Sequence, residues 1–336
     1  MNLQLLKAPR VRTAVSTALL LATTVSVDAQ DVQSSTLAAQ RTSGVAAGVT
    51  LPNAKIYALT SDNAIYVLKP GAAQYVRLGR ADFSDAGNLI GIDFRPADNA
   101  PTKLYGLTDK GNLYTIDVSE RNFGVTTFVS TMNPRFTGGF ENLMDFNPVA
   151  NALRVTGNTD QNLAVVNGTD GSNLSTTVQQ TTFAYAQGDV NFGKDPEISG
   201  GAYTNNFAGA TTTLFYVVDH NQDTLVTIAD KTATGSSNTA GGKLQTIGKF
   251  VDENGAPLNM SPTTDFDIYT DANGINYLVG QTTRLLFSID LSQIDPKLPV
   301  GKTQQIVVKR GRAAPLPGSN APLTGGVFDI AIPPRQ

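Results

Sequence analysis

Four aspartates, Asp93, Asp145, Asp267 and Asp329, stand at one position of a strand that recurs along this chain. The strands are Ile90-Gly91-Ile92-Asp93-Phe94-Arg95-Pro96, Leu143-Met144-Asp145-Phe146-Asn147-Pro148, Asp265-Phe266-Asp267-Ile268-Tyr269 and Val327-Phe328-Asp329-Ile330. A fifth copy, Gly200-Gly201-Ala202-Tyr203-Thr204, carries Ala202 there. Carboxylates gathered in one channel bind a hard cation such as Ca²⁺ or raise one another's pKa. A structural use competes, in which each Asp accepts backbone N–H groups of a neighbouring repeat. The repetition itself favours that use.

Other chemistry is scarce. The chain has no Cys, no Trp and one histidine. His220 falls in the predicted turn Asp219-His220-Asn221-Gln222-Asp223 and reads as a solvated residue at a hairpin tip. A Ser-His-carboxylate triad needs that histidine beside a positioned serine. A zinc site of the usual His and Cys ligands is excluded by the same count. No phosphate-cradling GxxxxGK[ST] loop occurs. Asp219-x-Asn221-x-Asp223 has the alternating oxygens of a Ca²⁺ loop, but Thr224 stands where the sharp turn wants glycine. A solvated turn is the better reading of that segment. No catalytic residue is named.

The elements that must position the aspartates are short strands. A two-strand pattern comes round five times, as in Ile56-Tyr57-Ala58-Leu59 turning into Ile65-Tyr66-Val67-Leu68. The second strands begin at Ile65, Leu113, Leu163, Leu225 and Leu286, steps of 48, 50, 62 and 61 residues. An all-β repeat of this size marks a β-propeller. Each hairpin takes one strand ahead of it, the aspartate strand, and one behind, such as Lys243 to Phe250 or Thr303 to Lys309. The first hairpin has none ahead. The strand Gly326 to Pro333 has the missing form, and pairing it with the first hairpin closes the ring and removes a sheet edge. The expectation is an all-β fold, a five-bladed β-propeller closed by the C-terminal strand. Six blades is the alternative, because Asn167 to Pro196 is long and poorly patterned.

Lys7, Arg10 and Arg12 precede an apolar run, Ala14 to Val27, that ends in Val27-Asp28-Ala29. Residues 1–29 therefore read as a secretory signal peptide cleaved after Ala29, which implies a secreted or periplasmic protein. Gln30 to Asn53 offers little to bury and reads as a flexible leader, followed by one propeller domain over residues 54–333. Without the signal, 22 basic residues face 27 acidic ones, a formal charge of −5. That sign and the lack of a basic block speak against nucleic acid as a partner. No later stretch is long and apolar enough for a membrane helix.

The motifs Leu89-Ile90-Gly91-Ile92-Asp93-Phe94-Arg95-Pro96, Leu104-Tyr105-Gly106-Leu107, Asn112-Leu113-Tyr114-Thr115-Ile116-Asp117, Asp145-Phe146-Asn147-Pro148, Gln161-Asn162-Leu163 and Ala202-Tyr203-Thr204-Asn205 carry a family likeness. On them the chain resembles an exported bacterial family catalogued as domain of unknown function 4394. The resemblance spans about Lys55 to Pro333 and implies export and a propeller-like fold, with no activity. The function expected is binding or scaffolding of a protein or small-molecule ligand, because a propeller presents loops at both ends of a rigid ring. The alternative is a metal-dependent hydrolase or lactonase using channel carboxylates, an analogy of fold alone.

Overall fold

The computed structural model describes residues 49–312 and 326–335, apart from 73, 140, 283 and 284. The signal peptide and residues 30–48 of the leader lie outside the described residues.

The described chain is almost wholly strand and turn, and its strands form four-stranded antiparallel units. The first unit holds β1 (Ile56–Thr60), β2 (Ile65–Leu68) and β3 (Val76–Gly79). The second is β4 (Leu89–Phe94), β5 (Lys103–Thr108), β6 (Asn112–Asp117) and β7 (Thr126–Thr131). The third is β8 (Asn142–Asn147), β9 (Ala152–Gly157), β10 (Asn162–Val166) and β11 (Thr176–Gln179). After a two-residue strand, β12 (Ala184–Tyr185), come β13 (Ile198–Tyr203), β14 (Phe215–Asp219), β15 (Thr224–Ile228) and β16 (Lys243–Val251). The fifth unit is β17 (Asp265–Thr270), β18 (Asn276–Gln281), β19 (Leu285–Asp290) and β20 (Ile306–Arg312). The last strand, β21 (Val327–Ala331), pairs antiparallel with β1, Tyr57 opposite Ala331, and completes the first unit. The closing strand expected from the sequence is therefore found.

Two further pairings complicate the sheets. The outer strands β16 and β20 meet in a short parallel pairing of Phe250 with Ile306 and Val251 with Val307. The poorly patterned segment 167–196 supplies β11 and then β12, which lies parallel to β16.

Alternation decides how the units pack. Along β1, Tyr57 and Leu59 face one apolar cluster with Ile92, Phe94 and Leu104 of the second unit. Ile56 and Ala58 face another with Val279 and Leu286 of the fifth. The same period of two sends Leu104 to one side of β5 and Tyr105 and Leu107 to the other. Each unit is thus an apolar sheet on both faces, buried between two neighbours. The inner strands complete a circuit in which β4 packs on β8, β8 on β13, β13 on β17, β17 on β21 and β21 on β4.

Hairpin turns use residues that tolerate the left-handed region: Asn63 at φ 62°, Gly111 at 82° and Asp223 at 53°. The end of the expected leader differs from its reading. Val49 and Leu51 pack on the cluster between the fifth and first units, and the Thr50 amide donates to Ser288 Oγ at 2.9 Å. Scattered apolar residues in a polar segment gave no periodic signal of that contact.

Removal of residues 327–336 should cost far more than one side chain. Val327, Phe328 and Ile330 are all buried, each worth about 1.5–3 kcal/mol, against a total stability of roughly 5–15 kcal/mol. The truncated chain is expected to be insoluble or to lose its cooperative transition, as read by soluble yield and thermal melting. An unchanged melt would refute closure by this strand.

Candidate functional site

The aspartates sit in the middle of the inner strands, where alternation turns them toward the neighbouring inner strand. Asp93 on β4 accepts from Phe146 N of β8 at 2.7 Å and from Phe94 N at 2.6 Å. Asp145 on β8 accepts from Tyr203 N of β13 at 3.1 Å. Asp267 on β17 accepts from Ile332 N just beyond β21, and from Ile268 N, both at 2.5 Å. Asp329 on β21 accepts from Ile92 N of β4 at 2.5 Å. One carboxylate after another ties an inner strand to the next.

Ala202 breaks this sequence on β13, and Asp265 fills the gap. It accepts from Ile330 N at 3.0 Å and from the backbone of Gly201. A Cβ on Gly200 would stand 2.2 Å from Asp265 Oδ1, so only glycine lets β13 approach this closely. Asp265 was not among the residues singled out from the sequence. The signal was there, in a second Asp two residues before Asp267 and in the glycine pair preceding Ala202.

All five carboxyls are buried, and among the described residues no ion pair reaches any of them. Burial, with the charge of the neighbouring aspartates, holds Asp93, Asp145 and Asp329 well above the usual carboxylate range. Burial pushes Asp265 and Asp267 up to about 7. Oxygens of Asp93, Asp145 and Asp267 lie within 4.8 Å of one another. Asp329 joins a different pairing, hydrogen-bonded carboxyl to carboxyl with Asp265. The structure thus gathers three of the four named aspartates and sets the fourth beside a fifth.

His220 is not the solvated tip residue expected. It is only partly exposed, and its Nδ1 is enclosed. The antiparallel pairing of β13 with β14 runs one residue past Asp219 and Ile198, so that the His220 amide donates to Glu197 O at 3.1 Å. The candidate Ca²⁺ loop around it is used otherwise. Asp219 is buried and accepts from Tyr185 Oη and Gln222 N, while Asp223 accepts from Met260 N.

A cleft of about 700 Å³ opens between the fourth and fifth units. Leu214 and Tyr216 line one side, and Ile294 and Leu298 of the β19–β20 connection line the other. Lys231 and Lys297 are in its lining, with no carboxylate. Lys231 Nζ donates to Ile228 O at 2.7 Å, and burial lowers its pKa. Thr204 and Asn205 of its lining stand in a family motif, but nothing in the sequence marks the cleft as a site, because its walls come from separate connections.

Residues 81–300 match the model of the family described as Domain of unknown function (DUF4394). No curated protein matches the chain in sequence. Among solved structures, regucalcin from Agrobacterium tumefaciens, a calcium-binding protein, is 12% identical over 87% of this chain and 94% of its own, with a TM-score of 0.42. An auxiliary nutrient binding protein from Bacteroides thetaiotaomicron is 14% identical over 66% of this chain and 55% of its own, at a TM-score of 0.38. The Dos1 propeller is 11% identical over 74% and 60%, at 0.37. The chain thus spans little more than half of the nutrient binding protein's length. Among the described residues no helix is long and apolar enough to cross a membrane.

The raised carboxyl pKa values fix the sign of a pH effect. A folded chain that holds protons the unfolded chain has released is favoured below the ordinary Asp pKa of 3.8, and loses that advantage as pH climbs toward about 7. In metal-free buffer the thermal midpoint should fall from about pH 5 to about pH 8. Asp267→Asn should flatten this slope, which is the readout whatever its absolute midpoint. A midpoint that rises over the same range would contradict the assignment.

Proposed function

We propose that this chain, which belongs to the DUF4394 family, is an exported binding protein whose units are the blades of a five-bladed β-propeller. Its ligand is a small molecule with an apolar body and an anionic end, held in the cleft between the fourth and fifth units. The observation that carries this reading is the cleft itself, apolar on two sides and lysine-bearing without a carboxylate. A site of several hundred Å³ with few convergent polar groups is the usual form of a small-molecule pocket. Lys231 stands exposed in the cleft lining, where an anionic end can pair with its ammonium. Export rests on the N-terminal signal pattern.

The inner aspartates support a scaffold rather than a catalyst. Their oxygens accept backbone N–H groups of neighbouring blades, which is the structural use. A cation among Asp93, Asp145 and Asp267 is the second reading, favoured by their three oxygens within 4.8 Å. It would be the starting point of a metal-dependent hydrolase or lactonase. Ca²⁺ is the hard cation that an all-oxygen set suits.

The binding reading is tested with octanoate as an amphipathic carboxylate probe. A saturable rise in thermal midpoint is expected, since ligand at about 100 times its dissociation constant adds about 2.7 kcal/mol. Lys231→Gln should weaken binding at least about tenfold through the loss of one charge-assisted contact, and Leu298→Asp should weaken it at least as much by setting a carboxylate in an apolar wall beside an anionic ligand. No rise with octanoate would remove this reading. The cation reading is tested separately, on metal-stripped protein with millimolar Ca²⁺. It requires an upward shift that Asp93→Asn and Asp145→Asn both reduce; the lacing role leaves the parent unshifted and both variants less stable.

A further inference from the structure

We infer that the face of the ring on which β8 and β13 begin carries a site for a divalent transition-metal cation, held by Glu141, Glu197 and His220. Glu141 immediately precedes β8 and Glu197 immediately precedes β13, two neighbouring inner strands. His220 follows β14, whose last residue Asp219 pairs with Ile198. These pairings alone bring three distant parts of the chain to one place. A ligand atom from each lies within 4.8 Å of the other two. A bound ion at about 2.0–2.2 Å from each donor would draw them in by roughly an ångström, within reach of partly buried side chains.

Unsatisfied atoms surround this point. His220 Nδ1 is enclosed and has no hydrogen-bond partner, and Asp160 Oδ1 and Asn158 Oδ1 are in the same condition. Asn158 Nδ2 donates to Glu141 Oε2 at 2.9 Å, so its amide belongs to the group. Asp160 is hydrogen-bonded to Asp195 and feels the charge of Glu197. Buried polar atoms are nearly always paired, and orphans concentrated at one point call for an unseen partner. The charge balance says what kind. Among the described residues no ion pair reaches Glu141, Glu197, Asp160 or Asp195. The ammonium of Lys194, the residue before Asp195, donates to the neutral Asn191 and Gln222. A cation both neutralises the carboxylates and accepts an imidazole lone pair.

The donor set selects the ion. One imidazole nitrogen with two carboxylates suits Zn²⁺ or Mn²⁺, whereas Ca²⁺ takes six to eight oxygens. Asp160 and Asp195 stand by to orient or complete the shell. The site shares no residue with the cleft of the proposed ligand. Glu197 precedes β13 while Thr204 and Asn205 of the cleft follow it, so the two lie on opposite faces of the ring. Neither depends on the other.

The test uses the full chain without an added histidine tag, stripped by chelator and titrated with Zn²⁺ by calorimetry. One saturable site per chain is expected, at least tenfold weaker in His220→Ala and in Glu197→Gln and unchanged in Glu253→Gln, a substitution at an exposed carboxylate outside both sites. Because His220 is the only histidine, its ring resonances also report contact in the unmutated protein, whatever the variants do to folding. They should shift on adding Zn²⁺ and stay unmoved by Ca²⁺. Zn²⁺ binding that is undiminished in His220→Ala, or that is lost in Glu253→Gln, would overturn the assignment. So would ring resonances that ignore Zn²⁺.

Discussion

Each four-stranded unit carries apolar side chains on both faces, and a sheet of that kind is stable only between two others. Five clusters fill the spaces between consecutive units, the last of them joining Val279 and Leu286 to Ile56, Ala58 and Tyr66. A linear stack would leave two apolar faces in water, at about 25 cal/mol for each Å² exposed. Closing the ring removes both. Without a disulfide to help, burial and the strand that completes the first unit hold the domain together.

Closure creates its own electrostatic problem. Inner strands converge, and their backbone N–H groups on the side away from the blade have no ladder partner. The aspartates answer it by accepting those N–H groups across the gap, from Phe146, Tyr203, Ile330, Ile332 and Ile92. Doing so buries five acidic side chains together. Protonation is the cheaper state for such a group. The carboxyl–carboxyl pairing of Asp265 with Asp329 follows from this, since two like charges in contact share a proton more readily than they both ionise.

A ring stiffened in this way leaves its two faces free for other work. On one face the connections of the fourth and fifth units stand apart and leave an apolar, lysine-bearing cleft. On the other, the starts of β8 and β13 bring acidic residues under the hairpin that carries His220. Both are built by neighbouring blades together, so each depends on the packing between units more than on any one repeat.

The repeat was legible in the chain because strand patterning is local: alternation and turn residues mark each hairpin within a dozen positions. The closing strand was legible because Val327 to Ile330 copies the form of Leu89 to Phe94 where the first hairpin lacks it. The recurrence of Asp93, Asp145, Asp267 and Asp329 likewise announced one shared role. Which oxygen meets which N–H was a matter of register between separate sheets, and local pattern does not encode it. Ala202 shows this, since its missing carboxylate is replaced by Asp265 from the next unit, through an approach that Gly200 permits. His220 shows it again. In sequence it sits in a polar turn and reads as solvated; only the packing of β13 beside β8 brings its ring within reach of both Glu141 and Glu197. Patterns of period two determined the strands, and contacts between residues from 23 to 237 positions apart, which no local pattern records, decided the sites.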